Sequence, residues 1–125
     1  MSNDIIRGLL VDDEKGFTEV LKKRLGKRGL EILTAPGGTE AIQLLRKHDF
    51  DVAILDLKME DMDGIEVLRI FKKMAPDMPV IMLTGHGSEK AAKEGMTQGA
   101  FDYLLKPCDL EDLLEKIHQA VNRIS

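Results

Sequence analysis

Val52-Ala53-Ile54-Leu55-Asp56 is the stretch that decides the fold. Four apolar residues in a row, with Asp51 before them, read as a short strand buried on both faces. A carboxylate stands where the run stops. Outward from it, in both directions, the construction repeats. Leu9-Leu10-Val11 runs into Asp12-Asp13, Val80-Ile81-Met82-Leu83 into Thr84, and Tyr103-Leu104-Leu105 into Lys106-Pro107. If these runs are parallel strands of one sheet, their carboxyl ends lie on one edge. Three carboxylates, a hydroxyl and an ammonium then share a single cleft.

Amphipathic stretches separate the runs. The strands are expected at 5–11, 30–35, 51–55, 79–83 and 100–105. After the first comes a helix over 15–27, with Phe17, Val20, Leu21 and Leu25 at helical spacing. Gly37-Gly38-Thr39 opens a second helix, with Ala41, Ile42 and Leu45 on one face, ending near His48. A turn-rich loop, Glu60-Asp61-Met62-Asp63-Gly64, leads to a third with Ile65, Leu68 and Phe71, which Pro76 and Pro79 end. A fourth over 88–96, capped by Ser88, is poor in large apolar residues and contains Gly95, so it is expected to be the least firmly held. Asp109 caps a fifth, with Leu110, Leu113, Leu114, Ile117, Val121 and Ile124 on one stripe. Strand and helix in alternation imply an α/β fold, a doubly wound parallel sheet with helices on both faces. Its crossovers are right-handed, and its ligand site lies beyond the strand carboxyl ends.

Composition narrows the function classes. The chain has 125 residues, the size of one domain, and is 43% hydrophobic, enough for a packed core rather than disorder. A net charge of −4 without a long basic run argues against direct nucleic-acid binding. Lys22-Lys23-Arg24 and Lys27-Arg28 read as the solvated face and last turn of a helix. One cysteine, Cys108, allows no internal disulfide, which suits a reducing cytoplasm. No apolar stretch nears the roughly 20 residues that span a bilayer, and the polar, acidic start is unlike a signal peptide. A cytoplasmic chain with no membrane partner is expected.

The strand-end residues suggest a chemistry. Two unit charges about 4 Å apart repel by about 4 kcal/mol at an effective dielectric of about 20. Asp12, Asp13 and Asp56 together therefore call for a cation, and an all-oxygen set favours Mg²⁺ or Mn²⁺ over zinc. Neutralising Asp12 or Asp13 should then raise the stability of the metal-free protein. Lys106 can pair with a carboxylate or a phosphoryl oxygen, and Thr84 offers a hydroxyl. Each has a simpler reading alone: a helix cap at Asp13 or Glu14, a surface lysine, a strand-end threonine. Their joint placement at successive strand ends argues for a site that takes a phosphoryl group on a carboxylate.

At this point the chain resembles the receiver domain of two-component response regulators, over essentially all 125 residues. The resemblance rests on Leu10-Val11-Asp12-Asp13-Glu14, Ile54-Leu55-Asp56-Leu57-Lys58-Met59, Met62-Asp63-Gly64, Leu83-Thr84-Gly85 and Leu105-Lys106-Pro107. It implies a flavodoxin-like fold, five parallel strands in order 2-1-3-4-5 with five helices, and a Lys106–Pro107 bond that is often cis. It implies that Asp56 accepts a phosphoryl group from a sensor histidine kinase or phosphotransfer protein. Asp12, Asp13, Asp56 and the backbone carbonyl of Lys58 would hold Mg²⁺. Thr84 and Lys106 would bind the phosphoryl oxygens, and Tyr103 matches a switching aromatic. The output would be a changed surface for a downstream effector domain or protein, with a phosphorylation-dependent dimer left open. On this reading the chain is a signalling domain with self-catalysed phosphotransfer rather than an enzyme. Glu60 replaces the proline usual after Met59 and is expected to loosen that loop without disabling the chemistry.

Other readings fit less well. An aspartate-nucleophile phosphatase wants a second carboxylate two residues after the nucleophile, where Lys58 stands. A flavin binder wants a hydroxyl- and glycine-rich phosphate loop after the first strand, where Asp12-Asp13-Glu14 would repel phosphate. His86 reads as a solvated loop residue, and His48 and His118 lack partners at metal-ligand spacing. Cys108 has carboxylates nearby that disfavour a thiolate. Gly37-Gly38 does not make a dinucleotide loop.

Overall fold

Five parallel strands, β1 (Arg7–Val11), β2 (Glu31–Ala35), β3 (Val52–Asp56), β4 (Val80–Thr84) and β5 (Asp102–Leu105), form one sheet in the order β2-β1-β3-β4-β5. Between and after them run α1 (Lys15–Lys27), α2 (Gly38–Lys47), α3 (Gly64–Met74), α4 (Glu89–Thr97) and α5 (Leu110–Asn122). This computed structural model describes residues 5–85 and 89–122. The expected roles of His86, the Ser88 cap and Ile124 fall outside the described residues.

The sheet is buried from both sides, so its side chains divide by the two-residue strand period. Leu9, Val11, Ala53, Leu55, Val80 and Met82 pack on one face with Ala41 of α2 and Ile65, Leu68 and Phe71 of α3. Leu10, Val52, Ile54, Ile81 and Leu83 pack on the other with Leu21 and Leu25 of α1 and Leu113, Leu114 and Ile117 of α5. Every residue of β3 and β4 is buried. Burial on this scale, at about 25 cal/mol per Å² of apolar surface, dominates the stability of the fold.

Boundaries depart from expectation in an informative way. β3 and β4 each start and end one residue later than the expected 51–55 and 79–83, and they run on past their apolar residues because Asp56 pairs with Leu83 and Thr84 with Leu105. The two polar residues are therefore the last members of their strands. β1 starts at Arg7 and β5 at Asp102, later than the expected 5 and 100. On α1 the buried stripe is Thr18, Leu21 and Leu25, and Val20, expected on that face, is 54% exposed.

Glycine ends two helices. Gly29 and Gly99 have φ of +90° and +108°, and behind them Leu30 and Ala100 donate back to the carbonyls of Leu25 and Gly95, closing the last turns of α1 and α4. Gly95 has a packing role as well. A side chain there would collide with the buried Met82 sulfur, so α4 gives up helix propensity to sit close on β4. Only Ala92 and Gly95 of α4 are buried.

Candidate functional site

Three backbone hydrogen bonds carry the sheet one residue past its strands. Asp12 donates to the Ala35 carbonyl at 3.0 Å, Leu57 to Leu83 at 3.1 Å and Lys106 to Thr84 at 2.6 Å. The ends of β1, β3, β4 and β5 thereby line up, and their polar residues meet. One oxygen from each of Asp12, Asp13 and Asp56 lies within 4.8 Å of the others. Asp12 and Asp56 are buried, and Asp13 is exposed at the rim.

Lys106 reaches into this trio. Its Nζ lies 2.8 Å from Asp12 Oδ2, 2.8 Å from Glu14 Oε1 and 3.7 Å from Asp56 Oδ2. It also sits 4.4 Å from the centre of the Phe17 ring, a cation–π distance. The Lys106–Pro107 bond is cis, as the resemblance implied. The Thr84 hydroxyl is buried and has no hydrogen-bond partner among the described residues. A buried unpaired hydroxyl costs free energy unless something bonds it. Asp13, Glu14, Phe17, Asp56, Lys58, Gly85 and the Lys106–Pro107 pair line a cleft of about 490 Å³.

Local hydrogen bonds orient the carboxylates. Asp12 Oδ1 accepts the Glu14 N–H at 2.9 Å, and Asp56 Oδ1 accepts the Lys58 N–H at 3.1 Å. Asp13 Oδ2 accepts the Glu60 N–H at 3.3 Å. Glu14 holds the N-cap position of α1 but makes no side-chain cap; its carboxylate goes to Lys106 instead. The loop after β3 folds back through a bridge between Lys58 and Asp63. Asp63 caps α3 through the Ile65 N–H. The Asp63-Gly64 pair has a steric cause: a Cβ on Gly64 would lie 2.5 Å from Leu57 Cα.

Burial shapes the electrostatics. It raises the Asp56 pKa to about 6, reinforced by the charges of Asp12 and Asp13 and opposed by the Lys58 N–H and Lys106. Burial also works to lower the Lys106 pKa, yet hydrogen bonds to Asp12 and Glu14 outweigh it and hold the ammonium above its ordinary value. The Lys106 hydrogen bond keeps Glu14 below the usual range. Burial, with Asp112 nearby, pushes the Cys108 thiol up.

The residues singled out from sequence fall into two groups. Asp12, Asp13, Asp56 and Lys106 converge, with Thr84 at the adjoining strand end and Lys58 in the loop, its side chain exposed. Tyr103 lies on β5, 38% exposed, and does not line the cleft. Sequence reasoning missed Glu14 and Phe17 as partners of Lys106. The signal for Glu14 was a third consecutive carboxylate after a strand. Phe17 had none, since its spacing equally suits a core residue.

The fit to a divalent cation can be judged from the donors alone. Among the described residues the cluster is three carboxylates with no nitrogen or sulfur ligand, a hard oxygen set suited to Mg²⁺. Among the described residues Lys106 is the ammonium ion-paired with the trio, and it is shared with Glu14, so the carboxylates outnumber it.

Comparison with known proteins agrees with the geometry. The response regulator receiver domain family matches residues 9–118. The transcriptional regulatory protein GlrR of Escherichia coli (strain K12) is 38% identical over 123 residues, 98% of this chain but 28% of that protein. The response regulator MprA of Mycobacterium sp. (strain KMS) is 35% identical over 96% of this chain and 52% of its own length. The chain thus spans between about a quarter and a half of these relatives. The crystal structure of a response regulator receiver domain protein from Clostridium thermocellum superimposes with a TM-score of 0.92 at 40% identity, covering 95% of this chain and 96% of that one. Strand order, helix count and a family match running from β1 into α5 coincide, and the chain belongs to the response regulator receiver domain family.

Proposed function

We propose that residues 1–125 form a receiver domain that takes a phosphoryl group onto Asp56 and changes its output surface in response. The observation that carries this reading is the position of Lys106 Nζ, 3.7 Å from Asp56 Oδ2, beside three clustered carboxylates. The donor is a phosphohistidine of a sensor histidine kinase or phosphotransfer protein. An Asp56 oxygen attacks phosphorus; the P–N bond breaks, its electron pair leaves with the imidazole, and the product is an aspartyl phosphate. Asp12, Asp13, Asp56 and the Lys58 carbonyl would hold Mg²⁺, which when bound offsets negative charge on the transferring group. Asp56 supplies the nucleophile. Lys106 and Thr84 supply an ammonium and a free hydroxyl for the phosphoryl oxygens.

Those two contacts arise only after transfer, so they can bias a two-state element. Thr84 ends β4, which leads into α4. Lys106 follows β5, which carries Tyr103 and Leu105 on its exposed side. The responding surface is α4, β5 and α5, read by an effector domain or protein, and phosphorylation-dependent dimerisation would use the same face. No helix among the described residues is long and apolar enough to cross a membrane; we place the domain in the cytoplasm, acting through proteins rather than by direct contact with nucleic acid.

Intact mass after incubation with acetyl phosphate and Mg²⁺ tests the reading. Wild type should gain one phosphoryl group and Asp56→Asn none. A folded wild type that gains nothing, or an Asp56→Asn variant that gains as much, overturns the assignment.

A further inference from the structure

Gly37-Gly38, which fits no nucleotide loop, turns out to be a cradle for another part of the chain. Gly37 is the N-cap residue of α2 and offers no side chain to the helix's free N–H groups. Asp61 provides one from more than twenty residues away. Its Oδ1 accepts the Gly38 N–H at 3.1 Å and its Oδ2 the Thr39 N–H at 3.2 Å. The fit depends on both glycines. A Cβ on Gly37 would stand 2.7 Å from the Asp61 carboxylate, and one on Gly38 2.8 Å from the Met62 sulfur and 2.7 Å from Val67 Cγ2.

Asp61 belongs to the same loop as Lys58 and Glu60. On its inner side that loop is tied to the carboxylate cluster, through Lys58 N–H to Asp56 and Glu60 N–H to Asp13. Elsewhere the Lys58–Asp63 bridge closes the loop on itself and Met59 and Met62 pack on the core, while Asp61 ties its middle to α2. Glu60, where proline would stiffen the backbone by fixing φ, makes the loop depend more on these contacts, and the Asp61 tie is the one that reaches another element's backbone amides.

We infer that Asp61 is a positioning residue for the cation site: by capping α2 across the fold, it fixes the loop that carries the Lys58 carbonyl. The inference rests on the proposed Mg²⁺ site. It makes cation affinity depend on the first turn of a helix that contributes no ligand. Groups behind a ligand commonly change metal affinity tenfold or more when removed.

The test is Mg²⁺ titration calorimetry on wild type, Asp61→Ala, Asp61→Asn and Gly37→Ala, with amide exchange read at Gly38, Thr39 and Glu60. Asp61→Ala should weaken Mg²⁺ about tenfold and speed exchange at all three amides. Gly37→Ala keeps every charge but displaces the carboxylate, and should weaken Mg²⁺ comparably. Asp61→Asn keeps one accepting oxygen and should fall between. If Gly37→Ala binds like wild type while both Asp61 variants are equally weak, only charge matters and the inference fails. Unchanged exchange at Glu60 in Asp61→Ala also overturns it. A wild type that binds no Mg²⁺ defeats the metal reading instead, and the Glu60 amide still decides whether Asp61 holds the loop. Should Asp61→Ala not fold, Gly37→Ala carries the same comparison.

Discussion

Lys106 is held closer to Glu14 than to Asp56: its Nζ lies 2.8 Å from the Glu14 carboxylate and 3.7 Å from Asp56 Oδ2. Two of its three N–H donors go to Asp12 and Glu14, and those carboxylates compete with a phosphoryl group on Asp56 for the ammonium. Glu14 is the exposed one and gives way more easily than buried Asp12. Glu14→Gln should therefore tighten binding of beryllofluoride, a phosphoryl mimic, about two- to fivefold, the range of an exposed ion pair. Calorimetry checks it. The gain should vanish in a Lys106→Ala background; if it persists there, general charge at the cleft mouth is responsible.

Asp12 and Asp13 part company once their partners are known. Asp12 is buried against Lys106 and also holds the Glu14 N–H, whereas Asp13 is exposed at the rim. Asp13→Asn should raise the metal-free melting temperature by easing repulsion. Asp12→Asn should lower stability, by about 2 kcal/mol, the scale of a charged hydrogen bond. This reverses the expectation from sequence for Asp12. Urea denaturation without metal measures both. Millimolar Mg²⁺ should raise the wild-type melting temperature by mass action and do less for either variant.

The raised Asp56 pKa, about 6 from an ordinary 3.8, sets a pH dependence. Between those values the folded chain binds a proton that the unfolded chain has released. The Asp56 contribution to stability must then fall as pH rises through roughly 4 to 6 and level off above, since stability falls wherever the native state holds more protons, while Glu14, Asp61 and Glu111, whose pKa values are lowered, act in the opposite sense at the acid end. Melting temperatures across that window, without metal, should show a slope that Asp56→Asn removes. Acetyl phosphate labelling should weaken as pH drops below about 6, because the acid form is no nucleophile, and Mg²⁺ should move that midpoint lower by competing with the proton.

Gly64→Ala should destabilise the protein by about 2 kcal/mol, an overpacking cost, because its Cβ meets the Leu57 backbone rather than a side chain that can turn away. Chemical denaturation measures it. A neutral result would mean that the loop has slack, which would also count against the loop being held in place by Asp61.

The parts legible in the sequence are those carried by one strand or helix at a time. Unbroken apolar runs reveal β3 and β4, because burial on both faces leaves no polar position within them. Asp56 and Thr84 mark their ends for the same reason. Less legible was whatever depends on two elements meeting. Val20 has the spacing of a core residue, yet Thr18 is buried on α1 in its place, since the rotation of a helix is set by what it packs on. Asp61 reads as one polar residue among several in a turn, because the amides it caps lie more than twenty positions away. Strand order came from family resemblance rather than from any feature of the runs themselves.

The separation of 94 residues from Asp12 to Lys106 has a consequence for synthesis. A ribosome makes Asp12, Asp13 and Asp56 long before the ammonium that counters them, and β5, at the sheet's far edge, is the last described strand to be made. A nascent chain folded only through β4 would hold the acidic trio with no Lys106 beside it. Acidic self-repulsion would then discourage premature closure, and the cleft would become chemically competent only when the final strand docks. In that sense Lys106 acts as a late counterweight, its arrival tied to the docking of the fifth strand rather than to any earlier step in building the sheet.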